Sequence, residues 1–227
     1  MKRRDFTAVL AATALSGAGP VAMAALSEGD ASLGVRTALE RGAVAAVGLL
    51  GRSGGFLDDP RVRIRLPGVL DGAAKMLGAI GQQAKVDELV TAMNRAAEAA
   101  VPQARSLLVQ AVKSMSLADA RRIVTGGDNA ATEFFASRTR EPLAARFLPI
   151  VTRETSKVAL AEKFDAVAGR AAGLGLVRRE DADLPRYVTG KALDGLFLVI
   201  GEEERKIRSD PVGTGSAILG RVFGPRS

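Results

Sequence analysis

Leu193-Asp194-Gly195-Leu196-Phe197-Leu198-Val199-Ile200-Gly201-Glu202-Glu203-Glu204-Arg205-Lys206-Ile207-Arg208 decides how this chain folds. At about 100° per residue, Leu193, Leu196, Phe197, Ile200 and Ile207 gather on one side, so the stretch reads as an amphipathic helix running from about Leu184 to Arg208. Glu204 falls inside that apolar arc, and Arg208 lies beside it one turn on, while Glu202 and Glu203 point away. A buried carboxylate is costly unless it is paired and hydrogen-bonded. Glu followed four residues later by Arg is the favourable order for a helical pair. Glu204 and Arg208 are therefore expected to form an internal ion pair that fixes packing, with a polar anchor in a ligand pocket as the alternative.

The same periodicity recurs along most of the chain. Ser32 is placed to cap a helix carrying Leu33, Leu39, Ala46, Leu49 and Leu50 that stops at Gly51. Pro67 opens another, with Val69, Leu70, Ala73, Leu77 and Ile80 at helical spacing and Gly78 and Gly81 marking its decay. A helix from about Val86 to Ala100 meets Pro102, which starts a new segment or kinks the old one through to Met115. Ser116-Leu117-Ala118-Asp119 resembles a capping box and opens a short helix ended by Gly126-Gly127. Asp128 is expected to cap a helix containing Ala131, Phe134 and Phe135. Pro142 is expected to begin a further stretch, bent at Pro149 and reaching about Ala168, followed by a Gly-rich charged loop from Gly169 to Asp183. A short turn or helix to Phe223 closes the chain. Short loops between helices predict an all-α fold, one bundle of about seven to nine helices in a single domain over residues 25–227.

Residues 52–67 break the helical habit. Gly54-Gly55 and Asp58-Asp59-Pro60 are turn signals, and Arg61-Val62-Arg63-Ile64-Arg65-Leu66 alternates strictly. Arg61, Arg63 and Arg65 therefore lie on one side of an extended segment. With no partner strand in sight, the segment is expected to be an arm packed over helices. On the helix around Met93, the residues Leu89, Met93, Ala96, Ala97 and Ala100 make the apolar face. Asn94 lies at its flank, placed to bond an exposed carbonyl of a neighbouring helix, and Arg95 and Glu98 are expected to look outward.

The N-terminus carries an address. Lys2, Arg3 and Arg4 precede a mild apolar stretch from Thr7 to Leu15, then Gly17, Gly19 and Pro20, then Ala22-Met23-Ala24. That order describes a cleavable export signal over residues 1–24 with an A-x-A site formed by Ala22 and Ala24. Arg3-Arg4 with Phe6 resembles the twin-arginine signal, which a receptor reads. The expected location is the periplasm. Of the formal charge of +7, Lys2, Arg3 and Arg4 against Asp5 account for +2, leaving +5 on the exported part. Export turns that charge away from nucleic acid and toward anionic envelope surfaces.

The chain has no Cys and no His. Disulfides, thiolate nucleophiles, Ser-His-Asp triads, haem ligation by His and the usual zinc sites are thereby excluded. Oxygen-ligand metals and carboxylate chemistry are what remain open, and Asp58-Asp59, Glu180-Asp181 with Asp183, and Glu202 to Glu204 are the clusters weighed for it; each lies in a loop or on a helix exterior, except Glu204. Gly126-Gly127 and Gly213-Thr214-Gly215 lack the following Lys of a phosphate loop and read as helix terminators. No metal site, cofactor or catalytic residue is expected.

Several segments together resemble one bacterial family. They are Val62-Arg63-Ile64-Arg65-Leu66-Pro67, Met93-Asn94-Arg95-Ala96-Ala97-Glu98, Asp119-Ala120 with Gly126 and Ala130-Ala131-Thr132, and Phe147-Leu148-Pro149. Tyr187-Val188-Thr189, Leu193-Asp194-Gly195-Leu196-Phe197, Glu204 with Ile207-Arg208 and Pro211, and Val222-Phe223-Gly224 complete the series. The likeness is to domain-of-unknown-function family 4197, exported proteins of Gram-negative bacteria. It implies a single exported, mostly helical domain and supplies no catalytic residues. Two functions are expected to compete: a periplasmic binding module for an apolar or amphipathic, lipid-like ligand, with Glu204, Arg208 and Asn94 as its polar network, and a non-catalytic envelope protein docking to a partner through the basic arm, with peripheral membrane contact.

Overall fold

The structure is a computed structural model that describes residues 28–161 and 183–210. The export signal with Arg3, Arg4, Ala22 and Ala24, residues 162–182 including most of the Gly-rich loop, and the C-terminal turn lie outside the described residues. The stretch expected to reach Ala168 stops earlier, at Thr155, where a turn at Ser156 and Lys157 interrupts it. Within them are seven α-helices and no strand. These are α1 (Glu28–Leu50), α2 (Asp71–Ala79), α3 (Gln83–Ala100), α4 (Ala104–Lys113), α5 (Leu117–Thr125), α6 (Ala130–Thr155) and α7 (Leu184–Ser209). The expected all-α bundle is what is seen. Residues 52–67 lie outside the helices as expected, but they are not extended throughout: successive turns run to Val62, and only residues 63–67 are free of them.

The two longest helices, α6 and α7, pack against each other, α3 lies on α6, and α1 lies on α7. Their shared core holds Phe56, Phe135, Phe147, Leu108, Leu143, Leu184 and Leu196, all buried. Close packing of this kind leaves little tolerance for added volume. Gly195 of α7 shows why: a Cβ there would stand 2.8 Å from the ring of Phe56 and 3.3 Å from Val62. The missing side chain lets the arm lie directly on α7.

Helix ends follow local chemistry. At the end of α2, Gly81 has φ +76, its N–H donates to Gly78 O at 3.0 Å, and Gln82 N–H donates to Leu77 O at 2.8 Å. This is a Schellman closure, and it turns the chain straight into α3. Pro102 joins α3 to α4 through a single 3₁₀ turn, Val101–Gln103. Ser116 and Asp119 form the expected capping box: Asp119 N–H donates to Ser116 Oγ, and Ser116 N–H donates to Asp119 Oδ2, both at 3.1 Å.

Three further expectations need correction. Ser32 does not cap α1, which already includes Glu28 and holds Ser32 buried within it. Pro142 does not start a helix: α6 runs unbroken through Pro142 and Pro149. Both prolines are exposed and seven residues apart, on one solvent-facing side, where water can satisfy the carbonyls their rings leave free. Asp128 is exposed and does not cap α6, whose N-cap residue Asn129 makes no capping bond either. The cap comes from elsewhere in the chain.

Candidate functional site

Asn94 and Glu98 stand one turn apart on α3, on the flank facing the arm. Asn94 is fully buried. Its Oδ1 accepts from Ile64 N–H at 2.8 Å, and its Nδ2 donates to Ile64 O at 2.8 Å and to Val90 O at 2.8 Å. The amide side chain thus supplies the donor and acceptor that a neighbouring strand would have offered Ile64. Glu98 is 4% exposed, against the expectation that it looks outward. Its Oε1 accepts from Phe56 N–H and Leu57 N–H, both at 3.1 Å, while its Oε2 takes Arg95 Nη1 at 2.6 Å. Helical periodicity puts Glu98 outside the apolar stripe of α3, and the arm laid over that flank is what buries it. The two residues clamp the arm at residues 56–57 and at residue 64.

Glu204 makes the corresponding contact on α7. It is 5% exposed, and its Oε1 accepts from Ala131 N–H at 3.0 Å while its Oε2 accepts from Thr132 N–H and Oγ1, both at 2.9 Å. These are first-turn amides of α6, so Glu204 caps that helix from a distance of 73 residues in the chain. Arg208 donates to Glu204 Oε1 through Nε at 3.1 Å and Nη2 at 2.8 Å, and to Ile123 O through Nη2 at 2.8 Å. One ion pair thereby ties together the end of α5, the start of α6 and the last turns of α7. Asn94 does not belong to this network and shares no partner with it.

The arm arginines divide. Arg61 is anchored, pairing with Asp59 and, at 2.6 Å, with Glu202 of α7. Its hydrogen bond holds the Asp59 carboxyl below the usual range. Tyr187 Oη donates to Arg65 O at 3.1 Å, fixing the far end of the arm by its backbone. The side chains of Arg63 and Arg65 are exposed and make no ion pair among the described residues.

A fourth polar residue, Asp119, is held below its usual carboxylate range, first by the Ser116 amide and hydroxyl and then by Arg138 and Arg122. A cavity of about 560 Å³ opens beside it between α5 and α6, bordered by Arg122, Asp128, Glu133, Phe134 and Arg138. Neither Glu204 nor Arg208 lines it. Among the described residues no three carboxylates come together in a way that could hold a metal ion. Catalysis by paired carboxylates requires groups free to move protons. Glu98 and Glu204 instead have their oxygens committed to backbone amides and arginines.

The sequence pointed to Glu204, Arg208 and Asn94 but missed Glu98. Its position four residues after Asn94, beneath an arm with no other partner for its amides, was the available signal. The family described as protein of unknown function (DUF4197) matches residues 25–224. No curated protein and no solved structure matches the chain.

Proposed function

We propose, from the premise that this chain belongs to the DUF4197 family, that it is an exported, non-catalytic protein that docks on the cell envelope through the outer side of its basic arm. One observation carries this reading. The buried polar groups Asn94, Glu98 and Glu204 are occupied by the chain's own backbone, whereas Arg63 and Arg65 remain exposed without an ion pair among the described residues. Arginines on a fixed backbone, facing solvent in a row, are suited to meet anionic partners. The start of the family match at residue 25, just past the expected cleavage after Ala24, supports export and a periplasmic location.

Binding of an apolar or amphipathic ligand is the second reading. The cavity between α5 and α6 favours it, with the ring of Phe134 beside the guanidinium of Arg138, 4.9 Å from the ring centre.

The docking reading predicts that Arg63→Glu with Arg65→Glu reduces sedimentation of the purified full chain with washed envelope membranes by at least about tenfold, since each basic residue near an anionic surface is worth about 1 kcal/mol. The melting temperature should stay within about 1 °C, because neither side chain holds the fold. Undiminished sedimentation would contradict docking through the arm. Native mass spectrometry of the same sample separates the two readings: docking predicts the mass of the polypeptide alone, and ligand binding an added mass that solvent extraction removes.

A further inference from the structure

Helix α2 is nine residues long and carries the wrong outer face for a solvated helix. Gly72, Lys75, Met76 and Ala79 are exposed, as is Ile80 at its C-cap. Met76 is 73% and Ile80 68% exposed, the most exposed large apolar side chains of the described residues. The inner side, with Leu77 half-buried, packs on α3. The arm rests on the same helix, through Ile64 and Asn94. Both segments lean on α3, and only the five residues 66–70 separate Arg65 from Asp71, the first residue of α2, which keeps the arm arginines close to α2 in the chain.

Charge selects the occupant. From Arg61 to Lys85 the sequence carries five basic residues and one acidic one, Asp71. Lys75 and Lys85 are exposed and, like Arg63 and Arg65, make no ion pair among the described residues. The nearby acids on the first turns of α3 are Asp87, which accepts a hydrogen bond from Gln83 at 2.9 Å, and Glu88. A second copy of this basic face would be repelled. A surface of phosphate groups over hydrocarbon matches both of its properties: cations settle at the phosphates, and Met and Ile enter the acyl boundary.

We infer that α2 and the neighbouring arm form a docking face for an anionic lipid bilayer, with Met76 and Ile80 inserted and Arg63, Arg65, Lys75 and Lys85 at the headgroups. This rests on the docking reading above and names its partner. The contact is interfacial, and long basic side chains can lie along the boundary with their charges in the headgroup layer.

The test is flotation of the full chain with vesicles of phosphatidylglycerol and phosphatidylethanolamine, against vesicles of phosphatidylcholine alone. Binding is expected to the anionic vesicles only, to weaken as salt rises, and to fall at least about tenfold in Met76→Glu with Ile80→Glu. Both side chains are exposed, so the melting temperature of the double variant should not change. No binding to anionic vesicles while the chain still sediments with envelope membranes would overturn the lipid partner, point to an anionic protein, and leave the docking reading standing. Loss of both would remove the docking reading too. A lower melting temperature in the double variant would show the face covered by the chain itself. A shift from dimer to monomer would show it covered by a second copy. Either result overturns the inference.

Discussion

Glu204→Ala is expected to lower the free energy of unfolding by about 3–5 kcal/mol, the usual cost of removing one partner from a buried ion pair. The loss has three parts in the structure. Ala131 and Thr132 keep their amide hydrogens but lose their acceptor, and α6 has no side-chain cap of its own to replace it. Thr132 Oγ1 loses its partner. Arg208, mostly buried, loses the carboxylate it pairs with at 2.8 Å. Glu204→Gln keeps the shape but sets an NH₂ against N–H donors, so about half of that loss or more should persist. Denaturant unfolding followed by circular dichroism reads both. If Glu204→Gln unfolds at the wild-type denaturant midpoint, the carboxylate is dispensable to the fold and its burial calls for a functional account.

Asn94→Leu is the second large effect, at about 2–4 kcal/mol. Leu keeps the branched shape of Asn but is larger and makes no hydrogen bonds, so the cost comes mainly from Ile64, whose buried N–H and C=O both lose their partner. The consequence is local as well as global. With Ile64 unclamped, the arm is held by Glu98 at one end, by the Arg61–Glu202 pair in its middle and by the Tyr187 hydroxyl on Arg65 O at the other. Tyr187 is the only Tyr in a chain with no Trp, so tyrosine fluorescence reports on the surroundings of this one side chain, its bond to Arg65 O among them. Asn94→Leu should alter Tyr187 emission at denaturant concentrations well below the main transition. A single transition of unchanged midpoint would show that Ile64 finds its hydrogen bonds elsewhere.

Periodicity carried the reading of most helices because apolar stripes at helical spacing can be buried only as helices in a bundle. The stripe of α7, the capping box at Ser116 and Asp119, and the alternation of the arm were all legible for this reason. What escaped depends on partners distant in the chain. Asp128 looked like the cap of α6 because capping is usually local, whereas Glu204 reaches the same amides across the bundle. Glu98 looked solvated because a helical wheel knows nothing of an arm lying over its flank. Pro142 looked like a start signal because the sequence does not say that its ring faces water. In the region of the candidate site, the residues that seemed out of place were visible as anomalies. Apart from Arg208, whose pairing with Glu204 was legible, the partners that matter were not, since they are backbone groups of distant segments: Phe56, Leu57, Ile64, Ala131 and Thr132.

The central claim is that Asn94, Glu98 and Glu204 are fasteners that hold distant backbone. Native-state hydrogen exchange tests it most directly, at amides that belong to no helical ladder. Phe56, Leu57 and Ile64 donate to side chains in an irregular segment, and Ala131 and Thr132 lie in a first helical turn whose amides have no intrahelical acceptor. The account predicts that these five amides exchange with opening free energies close to that of global unfolding. Exchange at the rate of exposed loop amides would contradict it, and would return these buried polar groups to the list of side chains available for chemistry.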